Sequence, residues 1–439
     1  MSRRSGPTKN SLPDHALTQA AIAALKGEQR VYLVKAPPGS GKTTLLLGVL
    51  RELRSKRKRL AVATQTNSQA DDLCERWVEH GLGPITRLVA GDDDASRADG
   101  ITVITDADNI SDTACIVVAT AAKWGWTSGF DPFDVLFVDE AWQMPWATFA
   151  TLPHVAGNFM LIGDPGQIQP IVTVDTSRWD IAPVPPHRPA PEVLLQRQGL
   201  SCGAIHQTFR LPSDTVELVR GFYDFAFDAV AKAGARKLLV DPGAGRGPVA
   251  DVLARASTSS IVAATRRMPS HGSVPNDDPE IAFDTAQIVR HLLVRKSQVE
   301  IDGKRRLLTA EDIGVVATHR VMLSSIRDHL RAAAPTVTVE TPERWQGLQR
   351  PVMVAVHPLS ATRNPAAFDL ATGRLCVMAS RHQVALVVVS RDHVADTLVE
   401  NLPDATQAPS KPDDIGRGHA AHSRFWRALQ NDQRAIRLG

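Results

Sequence analysis

The sequence predicts an α/β protein with parallel sheets, and three observations carry that prediction. Short apolar runs of strand composition alternate with helical stretches along the chain, as crossover connections between parallel strands require. One run, VYLVKA (31–36), passes at once into a glycine-rich loop and a helical stretch. Two others, VLFVDE (135–140) and FMLIGD (159–164), end in acidic residues rather than in a hairpin turn. The 439 residues suffice for two or three domains, and 43% hydrophobic with 22% charged residues is ordinary for a globular chain.

In the first run the order is strand, loop, helix. Gly39 and Gly41 in APPGSGKT (36–43) permit a tight loop, and TTLLLGVLREL (43–53) continues as the helix. Backbone N–H groups of such a loop and helix N-terminus point at phosphates. Lys42 places a cation on the β- and γ-phosphates, the Thr43 hydroxyl can ligate Mg²⁺, and Pro38, Ser40 and Thr44 complete the binding segment. In the second run Asp139 comes at the strand tip, beside Mg²⁺, and Glu140 stands where it can polarise an attacking water. The third ends in Asp164, with Gln167 three residues on, a carboxamide able to sense the γ-phosphate with both donor and acceptor. These residues describe the binding and hydrolysis of a nucleoside triphosphate with Mg²⁺.

With Gln143 and GDPGQ (163–167) added, the chain resembles superfamily 1 helicases, particularly the Upf-like, DEAxQ branch with its AAA-type P-loop NTPase domain; the resemblance runs from about residue 17 to residue 390. It implies two tandem RecA-like P-loop NTPase domains. It further implies that Gln19 reads the adenine, and that Thr66 and Asn67 in LAVATQTNSQADDL (60–73) and Thr120 and Lys123 in IVVATAAKW (116–124) touch a nucleic-acid backbone. In the second half, Arg210 in HQTFRLPSDTVELVRGFYDF (206–225) corresponds to an internal arginine finger, and Arg381 in RLCVMASRHQVALVVVS (374–390) to a second γ-phosphate arginine. DIGVVATHR (312–320), ending in Arg320, resembles a nucleic-acid-contacting turn, and TPERWQGLQRPVMVAV (341–356) the coupling motif, with Gln346 and Gly347 on the nucleotide side. Besides Ala36 in place of the phosphate loop's usual first glycine, three positions of the second half depart from the family: Met322 and Gln383 replace a common glutamine and lysine, and Gln349 the usual glutamate. The departures bear on sugar recognition and on coupling to movement, and leave the phosphate chemistry intact.

Domain organisation follows from composition. Residues 1–13 read as a flexible N-terminus, 14–182 as the first domain, the proline-rich 183–191 as a linker, 192–400 as the second domain, and 401–439 as a polar tail with a helix around HSRFWRALQ (422–430). GDDDASRADG (91–100) and MPSHGSVPNDDPE (268–280) read as exposed and irregular. The intervals between motifs leave little room for an accessory insert, so the chain reads as a near-minimal motor core.

A net charge of +3 excludes the global positive field of a sequence-independent coating protein. The basic run RELRSKRKR (51–59) reads first as a solvated helix end and second as a phosphate-contacting patch. Trp124, Trp126 and Trp345 adjoin motif loops and are either core or base-stacking residues. Cys74, Cys115, Cys202 and Cys376 are scattered without a CxxC pair, and His154, His187, His206, His319 and His382 lack ligand spacing, so structural zinc and a disulfide framework are not expected. With neither a leader-like apolar segment nor a membrane-length run, the expected setting is cytoplasmic. Two functions are compatible with the sequence. One is an ATP-dependent helicase or translocase on single-stranded nucleic acid, DNA slightly favoured over RNA, with a protein partner supplying strand separation or loading where needed. The other is an ATP-driven switch or loading subunit that binds nucleic acid or a partner without unwinding.

Overall fold

The computed structural model describes residues 15–25, 30–91, 95, 98–113, 115–179, 182–197, 200–240, 246–270, 274–404 and 413–439. The N-terminus expected to be flexible and half of the acidic stretch 91–100 lie outside the described residues. The chain divides into two compact units, one of residues up to 165 with 169–205, the other of residues 166–168 with 206–439.

The first unit runs through α1 (His15–Ala24), β1 (Val31–Lys35), α2 (Lys42–Ser55), β2 (Leu60–Thr64), α3 (Asn67–Glu79), β3 (Ile85–Leu88) and β4 (Ile101–Ile104). It continues through β5 (Ile116–Thr120), α4 (Ala121–Trp126), β6 (Phe133–Val138), α5 (Trp146–Phe149), β7 (Ala156–Gly163), α6 (Ala190–Leu195) and β8 (Ser201–Ala204). Its strands form one parallel sheet in the order β4-β3-β5-β2-β6-β7-β1-β8. Strands covered on both faces must be apolar at nearly every position, and LAVAT (60–64) is buried throughout. Successive side chains serve opposite cores: Leu33, Ala61, Val117 and Leu136 pack with Trp124 and Phe149, while Val34, Val62, Val118 and Phe137 pack with Leu46, Leu50 and Trp77.

The proline-rich stretch 183–191 does not carry the chain out of this unit. Pro189 precedes α6 and Pro191 lies in its first turn, where a missing N–H and a fixed φ are tolerated, and β8 then pairs with β1. The crossing to the second unit follows Ile205. The basic run 51–59 is a helix end tied to its own unit: Lys56 pairs with Glu52 at 3.0 Å, Lys58 with Asp134 at 2.7 Å, and Arg54 donates to the Leu82 carbonyl.

The second unit contains β9 (Gln207–Thr208), α7 (Ser213–Val219), β10 (Asp228–Ala229), β11 (Arg236–Leu239), α8 (Pro248–Ala256), β12 (Ile261–Arg266), α9 (Pro279–Val294), β13 (Gln298–Ile301) and β14 (Lys304–Leu307). After these come β15 (Ile313–Val316), α10 (Arg320–Leu330), β16 (Thr338–Glu340), β17 (Arg350–Val356), α11 (Thr372–Ala379), β18 (His382–Arg391), α12 (Val394–Glu400), α13 (Asp414–Asn431) and β19 (Ala435–Arg437). A six-stranded parallel sheet runs β16-β15-β17-β18-β12-β19, beside a small antiparallel sheet β11-β13-β14. Gly314 has no alternative: a Cβ there would lie 2.4 Å from the buried Trp345 ring, whose N–H donates to the Val315 carbonyl at 2.9 Å. Residues 414–439 are part of this unit rather than a polar tail. Phe425, Trp426 and Leu429 of α13 enter the core, and β19 extends the sheet beside β12. Among the described residues no helix is long and apolar enough to cross a membrane.

Burial holds the His357 imidazole well below the usual histidine range and pushes those of His382 and His422 down to about 3. His357 lies edge-to-face with His422 and Trp426, at ring distances of 5.2 and 5.0 Å. All three histidines belong to the second unit and fold neutral. Below the unfolded value of 6.5 the unfolded chain takes up protons that the folded chain refuses, so stability is level above that pH and falls beneath it. The loss approaches about 1.4 kcal/mol per histidine per pH unit. Thermal unfolding followed between about pH 7.5 and about pH 5 should show the midpoint dropping on the acid side, and less steeply in His422→Phe.

Candidate active site

Strand β1 delivers the chain into the loop 36–41, where Gly39 and Gly41 take φ of 69° and 80°, a left-handed backbone that side chains disfavour. The Ser40 N–H closes the turn on the Pro37 carbonyl at 3.2 Å. Helix α2 follows directly, and its N-cap, Gly41, has no side chain to bond the first-turn donors. The N–H groups of Lys42, Thr43 and Thr44 therefore stand at the positive end of a 14-residue helix without intrahelical acceptors. The Ser40 hydroxyl is buried with no partner among the described residues. Such a cradle of orphaned donors fits phosphate oxygens.

Beside it, the Lys42 ammonium contacts Glu140 Oε1 and lies 3.7 Å from Asp139 Oδ1. Consecutive residues of a strand point to opposite faces, so two neighbours can meet one cation only if the strand ends there. It does so sharply: Asp139 still bonds the Ala63 carbonyl through its N–H, whereas Glu140 turns to φ 52°, ψ 41° and donates its N–H to Asp139 Oδ1 at 2.9 Å. A non-glycine residue in that region is strained by about 1 to 2 kcal/mol. Burial works against the charged Lys42, but Glu140 and Asp139 outweigh it and raise its pKa. Burial also raises the Asp139 carboxyl, an effect Lys42 only partly offsets, and an under-compensated carboxylate of this kind suits a divalent cation. Asp164, at the end of β7, is buried.

Gln19 is not brought to this loop. Its carboxamide donates to Glu52 at 3.1 Å, ten residues along α2 from Lys42, which is about 15 Å of helix. Gln167 is buried and belongs to the second unit, where its backbone abuts Gly373 so closely that a Cβ there would lie 2.5 Å from the Gln167 carbonyl oxygen.

The four first-unit residues expected at a nucleic acid gather at the ends of two adjacent strands, since Thr64 of β2 sits opposite Thr120 of β5. Thr66 caps α3 in a capping box with Gln69, and Thr120 caps α4 by accepting the Lys123 N–H. Each hydroxyl thus keeps its proton for another acceptor. Asn67 Oδ1 is held at 2.8 Å by the buried Arg87, which also bonds Asp71, and Lys123 donates to the Thr105 carbonyl at 2.9 Å. Arg87 is a supporting residue that the sequence does not signal. Trp124 and Trp345 are fully buried, with their N–H groups on the Val62 and Val315 carbonyls, so neither can stack on a base. Trp126 is 91% exposed.

In the second unit the two arginines lie together. Arg210 Nε donates to Gln349 Oε1 at 2.7 Å and its Nη1 to the carbonyl of Ser380, the neighbour of Arg381. Arg236 supports the segment by donating to the Phe209 and Arg210 carbonyls. Arg381 is 1% exposed, and its Nε and Nη2 find no partner among the described residues. A buried guanidinium with orphaned donors is costly until an anion reaches it. His382 is fixed behind it by a buried chain: its Nε2 meets Thr215 Oγ1 at 2.8 Å, Thr215 meets Ser260 at 2.6 Å, and Ser260 donates to Asp214. Gln346 is half-buried and Gly347 exposed at φ 77° in the turn before Gln349, and Arg320 is exposed at the start of α10. Met322 packs in the core under α10, so that departure is a packing residue.

Residues 16–178 match the family described as an AAA domain. They form an AAA-type P-loop NTPase domain. The second parallel-sheet unit lies outside that match. The chain is similar to a crystal structure of Arterivirus nonstructural protein 10 (helicase), at 14% identity and a TM-score of 0.45, covering 84% of this chain and 61% of that one. The complex of Arterivirus nonstructural protein 10 (helicase) with DNA gives 14%, 0.43, 84% and 62%, and the PRRSV helicase 14%, 0.41, 84% and 54%. The chain thus spans about three-fifths or less of the length of these structures. No curated protein matches the sequence.

The cradle yields a direct expectation for the P-loop NTPase domain. At a hundredfold excess over Kd, ATP with Mg²⁺ should stabilise the protein by about 2.7 kcal/mol, seen as a raised thermal midpoint. Lys42→Ala should abolish that shift, and a shift of unchanged size in the variant would place the nucleotide elsewhere.

Proposed function

We propose that the protein is an ATP-dependent motor on single-stranded nucleic acid, a helicase or translocase whose two compact units are its moving parts. The observation that carries this reading is the division of hydrolytic groups. Lys42, Asp139 and Glu140 stand in one unit, and Arg210 and Arg381, the latter buried with orphaned donors, in the other. In this reading the loop 38–44 holds the phosphates, and Thr43 and Asp139 hold Mg²⁺, which neutralises charge on the β- and γ-phosphates when bound. Lys42 exchanges Glu140 for phosphate oxygens, and the released carboxylate takes the proton of the attacking water. Gln167 senses the γ-phosphate, and Gln346 and Gly347 adjoin the nucleotide. Arg210 and Arg381 counter the charge that accumulates on the transferred phosphoryl group only in the transition state. Thr66, Asn67, Thr120, Lys123 and Arg320 grip a single strand, DNA rather than RNA by a small margin, with a protein partner supplying strand separation where the core alone does not.

A second reading is favoured by one observation. Gln349, where the family's glutamate is expected, is engaged by Arg210 inside its own unit, and Met322 is committed to the core. A chain whose coupling positions are so occupied suits an ATP-driven switch or loading subunit that does not unwind.

ATPase rates with and without single-stranded DNA and RNA, with Glu140→Gln as the inactive control, separate the two. Strong stimulation by one polymer supports the motor, while indifference to both supports the switch. Arg210→Ala and Arg381→Ala should each lower kcat by roughly a thousandfold or more with little change in ATP affinity. Arginine variants that weaken only ATP binding would count against the assigned roles.

A further inference from the structure

Resting on the motor reading, we propose that Phe368 is a preset platform on which one base of the single strand stacks. Phe368 lies in the loop between β17 and α11, and His319 and Arg320 follow β15, so both segments emerge at the C-terminal ends of adjacent parallel strands. Phe368 is 43% exposed, while Leu370, two residues on, is in the core. An exposed phenylalanine alone means little. This one is clamped. The Arg374 guanidinium sits 3.9 Å from its ring centroid, donates to the Phe368 carbonyl at 3.3 Å, and is itself held by Glu343 at 2.8 Å. The His319 ring lies 5.6 Å away at 39°, with its Nε2 3.7 Å from Asp369, whose other oxygen accepts the Ala366 N–H.

Two carboxylates border the ring: Glu343 is paired with Arg374, and Asp369 accepts the Ala366 N–H and stands near His319 Nε2. Exposed Arg320, Arg363 and Asn364 flank the same loops. A rigid aromatic surface backed by a cation and bordered by arginines offers what an unpaired base needs: a π-face that loses little entropy on binding, and charge for the adjoining phosphates. Every base has such a face, so the platform is indifferent to sequence, as a motor's track requires.

Fluorescence anisotropy with oligo-dT, oligo-U and an abasic sugar-phosphate strand of equal length tests the proposal. Phe368→Leu should weaken oligo-dT or oligo-U binding about tenfold. It should leave abasic-strand affinity and the ATP-induced thermal shift unchanged, and Phe368→Trp should bind at least as tightly as wild type. Equal losses for base-bearing and abasic strands would overturn the proposal in favour of a structural role, as would an unaltered Phe368→Leu. A reduced ATP-induced shift would assign the ring to the nucleotide instead. Absence of any strand binding by the wild type would remove the motor reading itself, together with this inference.

Discussion

The constraint on which the rest depends is that every strand of the first sheet runs the same way. A parallel sheet needs a crossover between successive strands, and the crossovers return on the two faces, which forces each strand to be apolar on both sides. Polar chemistry is thereby kept largely out of the central strands and pushed to their ends. Lys42 follows β1, Thr66 follows β2, Thr120 closes β5, Asp139 follows β6 and Asp164 follows β7, so five loops meet along one edge without any long-range instruction beyond strand direction. The second sheet repeats the rule with His319, Arg320 and the Phe368 loop.

At that edge the protein accepts local conflicts. Glu140 occupies a backbone region that its side chain disfavours, α2 begins without a side-chain cap, and Ser40 is buried unsatisfied. Elsewhere the same chain satisfies equivalent groups with care, as the capping box of Thr66 and Gln69 and the Asp214–Ser260–Thr215–His382 chain show. Buried atoms without partners occur elsewhere too, at His357, Thr397 and Trp426 among others, so it is the gathering of the Ser40, α2 and Glu140 conflicts around one loop that suits groups held ready for something that is not protein.

The fold class was legible because two-sided burial writes itself as continuous apolar runs, and the phosphate loop because only glycine relieves the backbone at positions 39 and 41. Pairings that depend on side-chain reach were not legible. Gln19 has the right spacing from Gly39, yet Glu52 on the neighbouring helix binds it. Prolines at 183–191 are as compatible with a helix start as with a linker, which hid the continuation into α6 and β8. Trp124 and Trp345 adjoin motif loops in sequence but point inward, Trp124 from α4 and Trp345 from the turn before β17. The helix at 414–431 was readable from its periodicity, whereas its burial depends on a facing surface built from distant segments.

Strand β19 has a consequence of another kind. It pairs with β12 through Ala263–Ala435 and Ala264–Ile436, joining segments far apart along the chain. During synthesis the flank of β12 must wait, bare, until residues 435–437 have left the ribosome, long after the first sheet has all its strands. Any alteration that keeps those three residues from docking would leave the hydrogen-bonding groups of an apolar strand open to neighbouring molecules, a route to self-association rather than to a shortened but working protein.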